Sequence, residues 1–197
     1  MKALKKLLPV LLTLGLLLSL AVLPSSADAD EPDYKYREIS TEEELLKLSD
    51  DDHYDGNFIL TKDITLTKEH AVSPIEFFDG TLNGNGHKII GYKGSVPLFD
   101  TLGAAALIKN LTFEDAVVNG GNKIAMLVGT NTGKLWNLTF KNVSVTGSGT
   151  DVAGVCYDNQ AGGRIEHIDF DGTVTGNGDR AAGIVINQRK DAVLRYY

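Results

Sequence analysis

The acidic residues in the C-terminal part of this 197-residue chain are of the types that act on polysaccharides. Glycoside hydrolysis uses two carboxylates across a groove, and a polysaccharide lyase uses acidic residues for calcium together with a base. Asp169 and Asp171 flank Phe170, so a strand would present both on one face. The aligned column Glu114, Lys141, Asp171 alternates in sign, however, which favours a solvated charge ladder. An enzyme is therefore kept only as the alternative.

Exposed aromatic side chains are the second candidate for a functional site, because such rings anchor glycans and proteins at binding surfaces. Trp136 follows Leu135 in an alternating pattern and shares a column with Ile108 and Glu166. If Leu135 points inward, Trp136 points outward. The sequence predicts Trp136 and Tyr157 as surface aromatics for binding, and it predicts no catalytic and no metal-binding residue.

Metal binding has little support in the sequence. The four histidines lie at no ligand-like spacing. Asp50, Asp51 and Asp52 with Asp55 form the densest carboxylate run, but they lack the spacing of an EF-hand loop. We predict no cofactor and leave calcium open, because calcium needs only turn oxygens.

Charge and cysteine content exclude further classes of protein. The formal net charge of −7 argues against nucleic acid as a partner. The single cysteine excludes an internal disulfide framework. Because Cys156 aligns with Val128 and Val185, a buried apolar role is predicted for it. Another face of the fold would carry three arginines, Arg164, Arg180 and Arg189. No acidic residue lies at a sequence spacing that would pair it with any of them.

The first 29 residues predict export. Lys2, Lys5 and Lys6 precede an almost wholly apolar run over 7–23, which Pro24 ends. Small residues then follow at two signal-peptidase sites, so residues 1–29 are expected to be a cleaved secretory signal peptide. The alternative is a membrane anchor, because about 17 apolar residues is borderline for a span. After cleavage the protein would be secreted or held at the cell surface, with no membrane span.

Internal repeats indicate the architecture that positions these side chains. Residues 107–113, 134–140 and 164–170 align, and they place Phe113, Phe140 and Phe170 in one column at spacings of 27 and 30 residues. Each repeat holds three short strand-like runs separated by glycine, asparagine and serine. A looser copy runs over residues 78–99. No helical period lies between the runs.

A period of about 28 residues with this content is typical of a solenoid. The fold class predicted is all-β, a right-handed parallel β-helix of roughly five coils. Each strand would pair with its counterpart one coil above, about 4.8 Å away, so that like residues stack.

The expected domains are a signal peptide over 1–29, a polar lead-in over 30–38, a capping helix with its turn over 39–56, and the β-helix over 57–197. Ser40 or Thr41 would cap the helix, and Glu43 or Glu44 would reach back to it. The last coil begins near Asp191 and stops. We therefore expect the chain to be a fragment of a larger protein, truncated at its C-terminus.

Three runs, Gly56 to Ile64, Phe78 to Ile89 and Ile108 to Phe113, resemble the GLUG-repeat β-helix of bacterial surface proteins and of the immunoglobulin A metalloprotease family. The resemblance covers about residues 36–197. The Val/Ala-Gly-Gly-Leu-Val-Gly phrase of such repeats is eroded over 125–129 and 153–157, and no His-Glu-x-x-His motif of the protease occurs. The resemblance implies the non-catalytic, surface-displayed portion of such a protein.

The function predicted is a non-enzymatic, adhesin-like bacterial module, secreted or at the cell surface, which contacts a glycan or a host or cell-surface protein. The first alternative is a polysaccharide lyase or glycoside hydrolase of the pectate-lyase-like type. The second is a structural spacer. The sequence makes no prediction of oligomeric state.

Overall fold

The computed structural model of the protein describes residues 35–50, 54–178 and 180–195. The predicted signal peptide over 1–29 lies outside the described residues, as do Asp51 and Asp52 of the carboxylate run. Within the described ranges, no helix has the length and apolar character that crossing a membrane requires.

The described chain forms one short helix and nineteen strands. The helix α1 covers Glu42–Leu46, and a 3-10 turn follows at Lys47–Ser49. The strands are β1 (Arg37–Ile39), β2 (Asn57–Leu60), β3 (Ile64–Thr65), β4 (Glu69–His70), β5 (Ile75–Phe78), β6 (Thr81–Asn83), β7 (Lys88–Ile90), β8 (Lys93–Gly94), β9 (Phe99–Leu102), β10 (Leu107–Glu114), β11 (Val117–Gly120), β12 (Val128–Asn131), β13 (Lys134–Gly147), β14 (Asp151–Ala153), β15 (Cys156–Asn159), β16 (Arg164–Gly176), β17 (Arg180–Ala182), β18 (Val185–Gln188) and β19 (Val193–Arg195).

Every pairing between these strands is parallel, and each strand pairs with its counterpart one turn away. The first stack runs through β1, β2, β6, β10, β13, β16 and β19. A stack on a separate sheet runs through β5, β9, β12, β15 and β18, one strand for each of five turns. We call it the outer-sheet stack. The predicted parallel β-solenoid of about five turns is confirmed.

Stacked apolar residues fill the interior, as the repeats predict. Phe113 pairs in register with Phe140, and Phe140 with Phe170. The first two rings stack with centroids 5.2 Å apart, and the second and third lie 5.8 Å apart. Phe113 and Phe140 are buried, whereas Phe170 in the last turns is half-buried. The predicted phenylalanine column is therefore confirmed, and its burial decreases towards the C-terminal end.

A corner recurs within the long strands β10, β13 and β16 of the first stack, and asparagine forms it in two of the three. Asn110, Asn137 and His167 all adopt a left-handed backbone with φ of 54°. Asparagine tolerates this region better than most residues with a Cβ. The Nδ2 of Asn137 donates to Oδ1 of Asn110 at 2.8 Å, so the amides are joined from turn to turn. This bond explains why Asn-Leu-Thr recurs with the repeat.

A second amide ladder lies at the C-terminal ends of the strands in the outer-sheet stack. Asn131 and Asn159 are fully buried, and the Nδ2 of Asn131 donates to Oδ1 of Asn159 at 2.8 Å. Asn159 in turn donates to Oε1 of Gln188 at 3.0 Å. In the preceding turn the same register position holds the apolar Leu102. The amides are tolerated in the interior because their polar atoms bond to one another.

The helix α1 begins at a capping box formed by Thr41 and Glu44. Thr41 Oγ1 accepts from the backbone N–H of Glu44 at 3.2 Å, and a Glu44 carboxylate oxygen accepts from the N–H of Thr41 at 3.1 Å. Leu45 and Leu48 are fully buried against the core. The strand β1 precedes the helix and pairs with β2. That this helix serves as the cap of the solenoid stays a prediction.

The phenylalanine column allows a matched test of core packing. We expect Phe140→Ala to lower the free energy of unfolding by about 3–5 kcal/mol, because it removes a fully buried ring between two others. Phe170→Ala removes a half-buried ring and should lower the free energy of unfolding by clearly less. Urea unfolding followed by circular dichroism measures both. Equal losses for the two variants would contradict the gradient of burial along the column.

The buried amide ladder allows a second test. Asn159→Leu should lower the free energy of unfolding by about 1–3 kcal/mol, because Asn131 and Gln188 lose their shared partner. Asn119→Leu, at an exposed position of β11, serves as the control and should have little effect. If Asn159→Leu proves as stable as the parent protein, as the leucine at position 102 would suggest, the ladder does not stabilise the fold.

Candidate functional site

The two predicted surface aromatics lie on different sheets. Trp136 is half-buried on β13 in the first stack, and its chain neighbour Leu135 is fully buried, as the alternation predicts. Tyr157 is half-buried on β15 in the outer-sheet stack. One correction concerns the column of Trp136. The register pairs Trp136 with Lys109, and it pairs the predicted neighbour Ile108 with Leu135.

Charged and aromatic side chains surround the indole of Trp136. The Nζ of Lys134 lies over the ring, 5.3 Å from its centroid. The imidazole of His167 meets the indole edge-on, with centroids 5.8 Å apart and an interplanar angle of 88°. The Lys134 contact is a cation–π interaction, which draws the ammonium group towards the ring. Trp136 therefore lies next to a fixed positive charge.

Glu166, which follows Trp136 in the same column, is the anionic centre of this surface. Two bonds from Arg164 reach its carboxylate, at 3.3 Å from Nε and 3.0 Å from Nη2. Lys134 lies at 3.7 Å and Arg195 at 3.3 Å from the same carboxylate. The side chain of Glu166 is only 7% exposed, whereas those of Lys134, Arg164 and Arg195 are 39%, 43% and 54% exposed. We call these four residues and Trp136 the Trp136 face.

The three cations hold Glu166 in its charged form. Burial of the carboxylate opposes ionisation, but the hydrogen bonds of Arg164 and the charges of Arg164, Lys134 and Arg195 together lower the pKa of Glu166 below its ordinary value. A general acid for glycoside hydrolysis needs a raised pKa. Glu166 is therefore an anion at neutral pH, and its charge holds the three cations around it.

The arginines that the sequence leaves without acidic partners are paired in the structure, which corrects that expectation. Arg180 binds Asp151 with two hydrogen bonds of 2.8 and 2.6 Å, and Arg189 binds Asp158 with two of 2.7 Å. The acids lie 29 and 31 positions earlier, one turn away in space. These bonds raise the pKa of both arginines, and the nearby Tyr157 adds to the effect. Tyr157 therefore lies beside cations whose charge is already balanced.

Two acidic residues of α1 lie together at a shallow depression lined also by Leu46, Lys47 and Lys68. Glu42 accepts from the N–H and the hydroxyl of Thr67 at 2.9 and 2.7 Å, and Glu43 pairs with Lys47 at 2.8 Å. Burial raises the pKa of Glu42, but the bonds from Thr67 outweigh it and leave the pKa below its ordinary value. Glu42 therefore ties the helix to Thr67, and Glu43 pairs within its own helical segment. The lowered pKa of each carboxyl group disfavours it as the proton donor of a hydrolase.

The remaining candidates lie apart from the Trp136 face. Asp169 and Asp171 are exposed on β16. Glu114 pairs in register with Lys141, and it forms an ion pair with Lys88 at 2.8 Å. The predicted third member of that ladder, Asp171, is not in register with Lys141, because the pairing of β13 with β16 shifts between Phe140 and Val143. In the described part of the chain, no group of three or more ligand side chains is placed to hold a metal ion. The prediction of no cofactor stays a prediction.

Cys156 occupies the interior position that the alignment predicts. It pairs in register with Val128 and Val185 and is fully buried. Burial raises the pKa of its thiol above the ordinary value. Because the thiolate is the nucleophile, burial and the raised pKa disfavour covalent chemistry at Cys156.

The stacked parallel strands define the chain as a member of the structural class of parallel β-solenoids. No protein family profile matches the sequence, and no solved structure matches it significantly. Halomucin of Haloquadratum walsbyi is 36% identical to the chain over 112 residues, which is 54% of this chain and 1% of halomucin. The chain thus spans about one hundredth of the length of that relative.

The lowered pKa of Glu166 predicts a dependence of stability on pH. The ion pairs stabilise the fold fully above the ordinary pKa of 4.5, and that contribution is lost as the pH falls through the lower pKa of the folded state. At neutral pH we expect Glu166→Gln to lower the free energy of unfolding by about 1–2 kcal/mol, allowing for the exposure of the cations. The difference from the parent protein should shrink in acid.

Urea unfolding at several pH values measures this effect. Glu43→Gln is the control, because Glu43 also forms an ion pair but is exposed; its stability should match the parent protein throughout. A difference between Glu166→Gln and the parent protein that is constant from neutral pH to acid would contradict the assigned role of the carboxylate charge.

Proposed function

We propose that this chain is a non-enzymatic, adhesin-like module displayed at the cell surface, which contacts glycans or proteins through the flat outer sides of its strand stacks. The observation that carries the proposal is the Trp136 face, where a half-buried indole contacts Lys134, and where Lys134, Arg164 and Arg195 gather around Glu166 with their side chains partly exposed. Aromatic and arginine side chains are the residues that contribute most at binding surfaces.

The fold and the similarity to halomucin are compatible with a cell-surface β-helix module. The resemblance to GLUG repeats supports the same location. A solenoid suits this role, since each turn adds equivalent surface along a rigid axis. Several shallow contacts on one axis then act together and gain avidity.

The hydrolase form of the competing proposal receives less support from the charges, whereas the lyase form is tested by its product. Glu42, Glu43 and Glu166 all have a lowered pKa, with hydrogen bonds and neighbouring cations opposing the effect of burial. A hydrolase requires one carboxyl group that stays protonated near neutral pH. Binding to a glycan or a protein surface requires no protonated carboxyl group.

The two proposals differ in an assay with pectin and other uronate polymers. We expect the full chain to be retained on a glycan or extracellular-protein array, and to release no unsaturated product that absorbs in the ultraviolet and no reducing ends. A commercial pectate lyase serves as the positive control for product detection. Steady release of product would overturn the non-enzymatic proposal, and the absence of retention on every surface would overturn the adhesin proposal.

A further inference from the structure

The Trp136 face carries more positive charge than its one carboxylate balances. Lys134, Arg164 and Arg195 together contribute three charges, and Glu166 contributes one of opposite sign. Two guanidinium groups and one ammonium group hold about thirteen N–H donors, whereas one carboxylate has about four acceptor sites. Glu166 therefore holds the three cations close together without saturating them.

This surplus is local, because the protein as a whole is acidic with a net charge of −7. The basic pairs elsewhere on the C-terminal turns are balanced: Arg180 has Asp151 and Arg189 has Asp158, each in a two-bond arrangement. A concentrated positive patch on a negative protein attracts anions selectively to that patch.

The cations follow the axis of the solenoid. Lys134 pairs in register with Arg164 on the next turn, and Glu166 pairs with Arg195 on the turn after that. Neighbouring turns are about 4.8 Å apart. That distance is close to the length of one sugar unit in an extended polysaccharide chain, so successive charged sugars could meet successive turns.

The residues of the face depart from the repeat that builds it. In the earlier turns the position of Lys134 is occupied by Thr81 and Leu107, and that of Trp136 by Asn83 and Lys109. Interior columns repeat similar residues, because each turn must fill the same space, as Phe113, Phe140 and Phe170 show. The two outer columns that contain Lys134 and Trp136 together hold one aromatic ring and several cations, a combination that the fold does not require.

We propose that the Trp136 face binds acidic polysaccharides, with the carboxylates of uronate units on Arg164, Arg195 and Lys134 and a sugar ring against the open part of the Trp136 indole. Guanidinium groups suit this ligand because they bind carboxylates in a planar, two-bond geometry. The inference deepens the proposed function, and it rests on that function.

The protein contains one tryptophan, so indole fluorescence reports on this face alone. We would titrate the full chain with sodium alginate oligosaccharides, which carry carboxylates on pyranose rings, and follow both fluorescence and heat. The expected result is a saturable change of fluorescence with the same midpoint as the calorimetric binding curve. Neutral dextran should give neither signal.

Two further polymers separate the sources of negative charge. Polyglutamate carries carboxylates without sugar rings, and dextran sulfate carries sulfate on sugar rings. Both are expected to bind more weakly than alginate. Equal binding of polyglutamate would overturn the assignment to a polysaccharide, and tighter binding of dextran sulfate would overturn the assignment to carboxylates.

Variants locate the binding surface. The double change Lys134→Ala and Arg195→Ala should weaken alginate binding by at least about tenfold, because each cation is a charge-assisted donor. Trp136→Ala should weaken it as well in calorimetry. Lys93→Ala is the matched control for charge, since Lys93 is exposed on β8 away from this face, and its affinity should equal that of the parent protein.

The outcomes keep the two proposals apart. If alginate binds by calorimetry with unchanged fluorescence and full affinity in the Lys134 and Arg195 double variant, the site lies elsewhere; the Trp136 inference falls and the adhesin proposal stands. If alginate fails to bind while the array retains the chain, the polysaccharide inference falls alone. If nothing binds in either experiment, both proposals fall.

Discussion

The structure depends on one constraint, which is that every strand must pair in parallel with the strand one turn above it. A parallel ladder leaves each residue directly beside its counterpart in the next turn. The same column of the interior must therefore be filled again at each turn, by Phe113, Phe140 and Phe170 in one case and by Val128, Cys156 and Val185 in another. Repetition in the sequence is a consequence of this pairing.

The same constraint makes polar columns possible. An amide placed beneath another amide finds a donor and an acceptor at the spacing of the turns, which is how Asn131 and Asn159 remain fully buried. At the corner, Asn110 and Asn137 add the left-handed backbone that asparagine tolerates. Opposite charges are brought together in the same way, since Arg180 and Arg189 form ion pairs with Asp151 and Asp158 of the preceding turn. Hydrogen bonding between turns thus accompanies apolar stacking.

The sequence allowed the fold to be predicted because repeated apolar residues carry most of the information, and the phenylalanine column and Cys156 were placed correctly. The ion pairs were missed for a physical reason. Alignment of repeats matches like with like, whereas Arg189 and Asp158 are unlike residues 31 positions apart, outside any aligned column. Trp136 was predicted as a surface aromatic, but its neighbour Lys109 was taken for Ile108, a slip of one residue that exchanges the two faces of a strand.

In a solenoid, the residues that stabilise the fold and those available for binding lie in different columns. Interior columns are constrained by packing, so a change there lowers stability to the extent that the position is buried. Outer columns vary more from turn to turn, although they are not exposed throughout: Lys109 and Glu166 in the column of Trp136 are buried. A column such as Asn83, Lys109, Trp136 and Glu166, in which an uncharged amide gives way to cation, ring and buried anion, is therefore not explained by packing. Departure from the repeat on the outer side is the property on which the proposal of recognition at this surface rests.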